Sequence, residues 1–180
     1  MINKAVITAA GLGTRMRNMT LIIPKALLPI IRRNETPMLI PIIELIIARL
    51  QEVGISKFLI VIGKNGKPLI DYLMDKIFTD SLHVQLSFTF QEKPLGFGDA
   101  VLRAEDFVNS EPFFVHADDG ILTTGYLEGI KFYNEINPDA LLFLREVDNP
   151  CKYGIAVIKD EATYNNYKIV KVLNVEEKPR

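Results

Sequence analysis

Apolar residues recur along this chain in two alternating rhythms. Unbroken runs at Lys4–Ala9, 58–62 and 112–117 lack the polar alternate positions of a half-wet strand, so they read as strands buried on both faces. Between them the spacing changes to threes and fours. Leu39, Ile42, Ile43, Ile46, Ile47 and Leu50 mark one face of a helix, with Thr36 as N-cap, Pro37 in the first turn and Gly54 beyond its end. The same spacing predicts helices over 69–78 (Ile70, Leu73, Met74 and Ile77 inward), over 97–108 (Val101, Leu102 and Phe107) and over 124–137. The stretch 82–90 alternates strictly, with Leu82, Val84, Leu86, Phe88 and Phe90 on one side, as a half-exposed strand near a sheet edge would. A further apolar run predicts a strand over 140–144.

Strands that alternate with helices imply a parallel sheet covered on both faces. The expected fold is α/β: a Rossmann-like, mostly parallel sheet with helices on both faces and a C-terminal β-hairpin extension. The hairpin comes from 153–158 and 168–176, which flank the polar segment 159–167 and extend the sheet. No repeat, low-complexity tract or flexible linker divides the chain, so one domain over 1–180 is expected.

Composition narrows the function classes. With 21 basic against 22 acidic residues and a net charge of −1, no basic excess is available for a nucleic-acid partner. The longest apolar stretch, 38–50, is interrupted by Glu44 and Arg49 and is too short for a bilayer, so no membrane partner is expected. The single Cys151 cannot form an internal disulfide, and no secretory pattern opens the chain; a cytoplasmic location is expected. Nothing near Cys151 marks it as a nucleophile.

Directly after the first run comes 9–30, which reads AAGLGTRMRNMTLIIPKALLPI. Gly11 and Gly13 allow a sharp turn that brings backbone N–H groups towards an anion. Thr14 adds a hydroxyl, Arg15 a guanidinium suited to bidentate grip, and Lys25 a second cation fixed between Pro24 and Ala26. Together they suit a triphosphate. The loop is not a dinucleotide fingerprint, because Met16 fills a position that needs a small residue, and neither it nor 63–68 is a Walker A loop. For the glycines alone, an ordinary turn carrying an exposed arginine is the plain alternative; Thr20, Pro24 and Lys25 tip the balance.

Two more groups of polar residues follow strands. Gln91 carries an amide able to pair with N3–H and a carbonyl of uracil or thymine, while Gly96 and Gly98 let a base lie against backbone. Asp118-Asp119-Gly120 is either a simple turn or the source of a carboxylate for Mg²⁺, an ion that commonly takes one or two carboxylates and borrows phosphate oxygens. His116, inside the preceding strand, reads as a packed residue. In open parallel sheets ligands bind beyond the carboxyl ends of the strands, where all these residues fall.

The stretch 11–30 resembles the GxGTRLxPxTxxxPKxLxPI motif of the sugar-1-phosphate nucleotidyltransferases, and further motifs follow in that family's order. The segment 91–100 resembles QxxPLGLGHA, 149–154 resembles (D/N)PxxYG and 175–179 resembles (L/V)EEKP. Within the family, the pattern looks most like that of the UTP-using members. Asn18 departs from the family's proline, and Asp99 from the histidine common among UTP-using members. The resemblance implies that Ala10, Gly11, Gly13 and Thr14 hold the nucleotide, with Arg15 and Lys25 catalytic. It implies that Gln91 and Gly96 read the base, that Asp118 binds Mg²⁺, and that Gly154, Glu177 and Lys178 bind the sugar phosphate. The implied reaction moves a nucleoside monophosphate from UTP or dTTP to a sugar 1-phosphate, glucose 1-phosphate by association, and releases pyrophosphate. A homo-oligomer is left open. The family's second metal-binding aspartate lies past the counterpart of Arg180, so the expectation is a chain shorter than the family's, able to bind nucleotide but turning over poorly alone. The rival is a non-catalytic sugar-nucleotide-binding or regulatory protein; an NAD-dependent oxidoreductase lacks the third glycine and a placed acidic residue for the ribose.

Overall fold

β1 (Lys4–Ala9) is the strand on which the rest of the first unit is laid. The structure, a computed structural model, describes residues 2–11, 13, 19–32, 37–177 and 179. These fall into two compact units, Met1–Asn137 and Pro138–Arg180. After β1 come α1 (Met19–Ile22), a 3-10 turn (Lys25–Leu27), β2 (Pro29–Arg32), β3 (Met38–Pro41), α2 (Ile42–Gln51), β4 (Lys57–Ile62) and α3 (Lys67–Phe78). Then follow β5 (Gln85–Phe90), α4 (Phe97–Leu102), α5 (Glu105–Val108), β6 (Phe113–Ala117) and α6 (Leu127–Ile136).

The main sheet has the order β5-β4-β1-β6 and every pairing is parallel, with Lys4 opposite both Lys57 and Phe113. Successive residues of a strand point to opposite faces, and both faces are filled here. Ala5 and Ile7 of β1 and Phe58, Ile60 and Ile62 of β4 join one core with helices α2 and α3. Val6, Leu59 and Val61 join a second core with Ala100 and Ala104. The unbroken apolar runs of the sequence are therefore strands with helices on both sides. Ile43, Ile46, Ile47 and Leu50 of α2 are fully buried, each worth roughly 1.5–3 kcal/mol of transfer free energy. β5 lies at the sheet edge and is only half covered, as its strict alternation predicts.

Lys4 is a charged residue in a buried strand, and its burial has a local cause. Its Nζ donates to the carbonyls of Phe107 (3.0 Å) and Val108 (3.1 Å) at the end of α5 and pairs with Glu111 at 3.0 Å. Its ammonium thereby satisfies carbonyls that a helix end leaves without partners.

Several expectations need correction. The helix expected from Pro37 starts at Ile42, and Met38–Pro41 instead pairs antiparallel with Pro29–Arg32. Every residue over 38–43 is apolar, so periodicity cannot mark the boundary; Pro41, which has no N–H to give, takes the N-cap position. Thr36 lies outside the described residues. The helix expected over 97–108 is two short helices broken at Arg103 and Ala104. The strand expected over 82–90 begins at Gln85. The apolar run 140–144 forms no strand, because a run supplies side chains but not the neighbouring edge that a ladder requires.

In the second unit, β7 (Gly154–Tyr164) and β8 (Tyr167–Glu177) pair antiparallel, following a 3-10 turn at Pro150–Lys152 that contains the exposed Cys151. The hairpin is longer than expected, since 159–164 continues the strand and the loop is only Asn165-Asn166. Both asparagines take positive φ, 44° and 70°, as a two-residue turn matched to the twist of the strands needs. Among the described residues β7 and β8 form a two-stranded sheet of their own instead of extending the parallel one. No helix among the described residues is long and apolar enough to cross a membrane.

Candidate functional site

Chain order reverses at β1, because β4 and β5 are added on one side of it and β6 on the other. Such a reversal leaves a crevice beyond the carboxyl ends of the two strands that meet there, since their connections leave in opposite directions. Ala10 and Gly11 leave β1 and Asp118 leaves β6 at this point.

Asp118 and Gln91 are positioned in the same way. Each lies one residue past its strand, and each extends the ladder by one more bond: Asp118 N–H to the Thr8 carbonyl (3.3 Å), Gln91 N–H to the Ile62 carbonyl (2.9 Å). The backbone at both positions is thus fixed by the sheet. Lys25 comes from the 3-10 turn, where Leu27 N–H bonds to Pro24 O (2.8 Å) and Leu28 N–H to Lys25 O (3.0 Å). Ala26, fully buried in the main core, anchors that turn.

The lysine is carried onto the two aspartates. Its Nζ bonds to Asp119 and lies 3.6 Å from Asp118 Oδ1. Asp118 is only 6% exposed, and burial pushes its carboxyl up to about 6; the charge of Asp119 pushes the same way, while Lys25 opposes both. The result is a buried carboxylate, still ionised at neutral pH, beside a cation held in place by its turn and a second carboxylate. Asp119 was not singled out by the sequence. Nothing in local spacing shows that it meets a lysine 94 positions earlier.

His116 holds the same turn from inside the sheet. Its Nδ1–H donates to the Ala117 carbonyl (2.5 Å), so in the neutral ring Nε2 accepts from the Tyr126 hydroxyl (2.6 Å), which in turn accepts from Leu122 N–H (3.5 Å). Burial pushes the imidazole below its ordinary pKa and keeps it neutral. His116 is a packed brace for 117–122, with no carboxylate or thiol among its hydrogen-bond partners.

Gln91 is 6% exposed, and its Nε2 donates to Gly96 O (3.0 Å) and Asp99 Oδ2 (2.8 Å). Gly96 has φ +105°, a conformation that strains any residue with a side chain. Gly13 also has positive φ, 61°. Ala10 is buried against Gly63, which follows β4: a Cβ on Gly63 would come within 2.9 Å of the Ala10 carbonyl oxygen. Gly63→Ala should therefore displace the backbone that begins the glycine loop and cost about 1–3 kcal/mol of stability, to be read by urea denaturation. An unchanged unfolding midpoint would show that the two loops part freely.

In the second unit, Gly154 and Glu177 face one another across the open end of the β7–β8 hairpin, and a Cβ on Gly154 would lie 3.2 Å from Glu177 Oε2. Thr14, Arg15 and Lys178 lie outside the described residues. Among the described residues no group of three or more His, Cys, Asp or Glu side chains gathers as a ready-made metal site.

Comparison with known proteins agrees with this geometry. The model of the nucleotidyl transferase family matches residues 4–180. A rice (Oryza sativa subsp. japonica) protein named probable mannose-1-phosphate guanylyltransferase 1 is 31% identical over 180 residues, covering 98% of this chain and 45% of its own. A UTP–glucose-1-phosphate uridylyltransferase from Mycoplasma genitalium is 30% identical over 203 residues, covering 99% of this chain and 66% of its own. Among solved structures, a Bacillus anthracis protein provisionally assigned as a glucose-1-phosphate thymidylyltransferase, in complex with a sucrose, superposes with a TM-score of 0.80 at 26% identity, over 98% of this chain and 64% of its own. The chain thus spans about half to two thirds of the length of these proteins. The parallel sheet, the loop at its reversal point and the match along almost the whole chain place this protein in the nucleotidyl transferase family.

Proposed function

We propose that the protein takes part in nucleotidyl transfer to a sugar 1-phosphate. A phosphate oxygen of the sugar 1-phosphate attacks the α-phosphorus of a nucleoside triphosphate; a new P–O bond forms, the bond from the α-phosphorus to the bridging oxygen breaks, and pyrophosphate leaves with that electron pair. Such a step needs positioning and charge neutralisation more than covalent help. The observation that carries the reading is Lys25 held at Asp118 and Asp119 where the strand order reverses.

In this reading Ala10, Gly11, Gly13 and Thr14 cradle the phosphates, and Arg15 steadies the departing pyrophosphate. Lys25 neutralises charge near the α-phosphorus, exchanging its carboxylate partners for phosphate oxygens. Gly154, Glu177 and Lys178 take the sugar phosphate. The donor set of Asp118 with Asp119 is all oxygen, one carboxylate buried and one exposed, which fits Mg²⁺ provided that phosphates supply further ligands. When bound, the ion would offset negative charge on the phosphates.

For the nucleotide, Gln91 favours UTP or dTTP, whose base presents N3–H to an amide oxygen. The rice relative, at similar identity, is named for guanylyl transfer and makes GTP the second reading. Glucose 1-phosphate is the first sugar to test. Calorimetry with Mg²⁺ should show UTP and dTTP binding more tightly than ATP, and equal affinity for all would remove Gln91 from base reading. Absence of binding by every triphosphate would overturn the proposed function itself.

A further inference from the structure

The side-chain amide of Gln91 has a fixed orientation, and the cause is a neighbour that the nucleotide reading does not use. Its Nε2 faces two acceptors, the Gly96 carbonyl at 3.0 Å and Asp99 Oδ2 at 2.8 Å. An amide set between two acceptors points its NH₂ at them, because the flipped form would place its own oxygen against both. Asp99 is in turn held from behind by Arg103, one helical turn on in sequence, with Nη2 2.9 Å from Oδ1. Hydrogen bonds from Gln91 and Arg103 hold the Asp99 carboxyl below its ordinary pKa, so it remains an acceptor at neutral pH.

Both Nε2 protons are thereby engaged. The carbonyl oxygen, Oε1, has no hydrogen bond among the described residues, and no sealed side-chain oxygen or nitrogen there lacks a partner. Oε1 therefore reaches solvent. It is the group of Gln91 left to meet a ligand, and it can only accept.

We propose that Asp99, braced by Arg103, is a positioning residue that locks Gln91 as an acceptor, so that the site takes bases presenting a ring N–H and rejects bases whose ring nitrogen there is bare. This inference rests on the base-reading role of Gln91. Uracil and thymine offer N3–H and guanine offers N1–H; cytosine N3 and adenine N1 would set a lone pair against Oε1. A donor-free contact of this kind in a nearly buried place discriminates more strongly than a change of shape, since a polar group is left unpaired on both sides.

The test compares Mg²⁺–UTP with Mg²⁺–CTP by calorimetry in the wild type and in Asp99→Asn, which has the same shape but can turn either an oxygen or an NH₂ towards Gln91. The ratio of UTP to CTP affinity should fall by about tenfold. Equal weakening for both nucleotides would make Asp99 merely structural and overturn the inference. Arg103→Met, which loosens Asp99 without touching Gln91, should move the ratio the same way by less and serves if Asp99→Asn does not fold. In the nucleotide-free wild type, NMR should show slow solvent exchange for both Nε2 protons of Gln91. Fast exchange of both would overturn the lock without reference to any nucleotide. Failure of wild type to bind either nucleotide would overturn the parent reading, whereas binding with an unchanged ratio overturns this inference alone.

Discussion

Replacing Lys25 by alanine is expected to lower turnover in the active protein by about 10²-fold or more, with a smaller change in nucleotide affinity. The asymmetry follows from where the charge sits. In the proposed ground state several backbone amides and cations would share the triphosphate, so one lysine would be a modest part of binding. As the leaving pyrophosphate departs, charge on the oxygens around the α-phosphorus redistributes, and a cation already fixed beside them needs no reorganisation at that moment. Lys25 is fixed by Pro24, by the turn around the buried Ala26 and by two carboxylates, so its removal cannot be made good by a mobile neighbour. Steady-state kinetics of pyrophosphate release would separate the cases. A variant altered in KM with unchanged kcat would make Lys25 a binding residue.

The second large effect concerns Asp118. Asp118→Asn should reduce Mg²⁺-dependent pyrophosphate release by about 10²-fold or more, because it removes the one buried anion at the crevice among the described residues. The same variant should behave unusually in stability. The folded carboxyl keeps its proton up to about 6, whereas the ordinary value is 3.8. Folded protein therefore binds more protons than unfolded chain between these values, and the contribution of Asp118 is fully present below pH 3.8 and lost as pH rises through about 6. The loss is on the order of 2–3 kcal/mol. Urea denaturation at a series of pH values from 4 to 7 should show Asp118→Asn gaining steadily on wild type. A constant difference would mean that Lys25 fully offsets both the burial and the charge of Asp119.

The strands β1 and β4 were legible because burial on both faces leaves an unbroken apolar run that few other structures produce. The start of α2 was not, because an apolar residue at every position from 38 to 43 satisfies both periods at once, and the choice falls to β2, which offers an edge to pair with. Segment 140–144 failed for the converse reason: apolar side chains were present without a partner ladder. In the site, Lys25, Gln91 and Asp118 could be named from their places after strands and from the family motif. Asp119, Asp99 and Arg103 could not, since their importance lies in which side chain each one restrains. Asp99 did carry a signal, as a departure from the family's histidine, but its meaning required Gln91 and Arg103 on either side of it.

The central place of β1 also dictates an order of assembly. It is the first strand of this sequence to leave the ribosome, yet one neighbour, β4, begins at Lys57 and the other, β6, at Phe113. Its apolar faces and both rows of amides must stay uncommitted while more than half of the first unit is still being synthesised. Pairings between such distant segments are slow to form, and an unpaired apolar strand in the meantime is a template for the wrong partner. Until β6 has emerged, one edge of this buried strand has no partner of its own in the sheet.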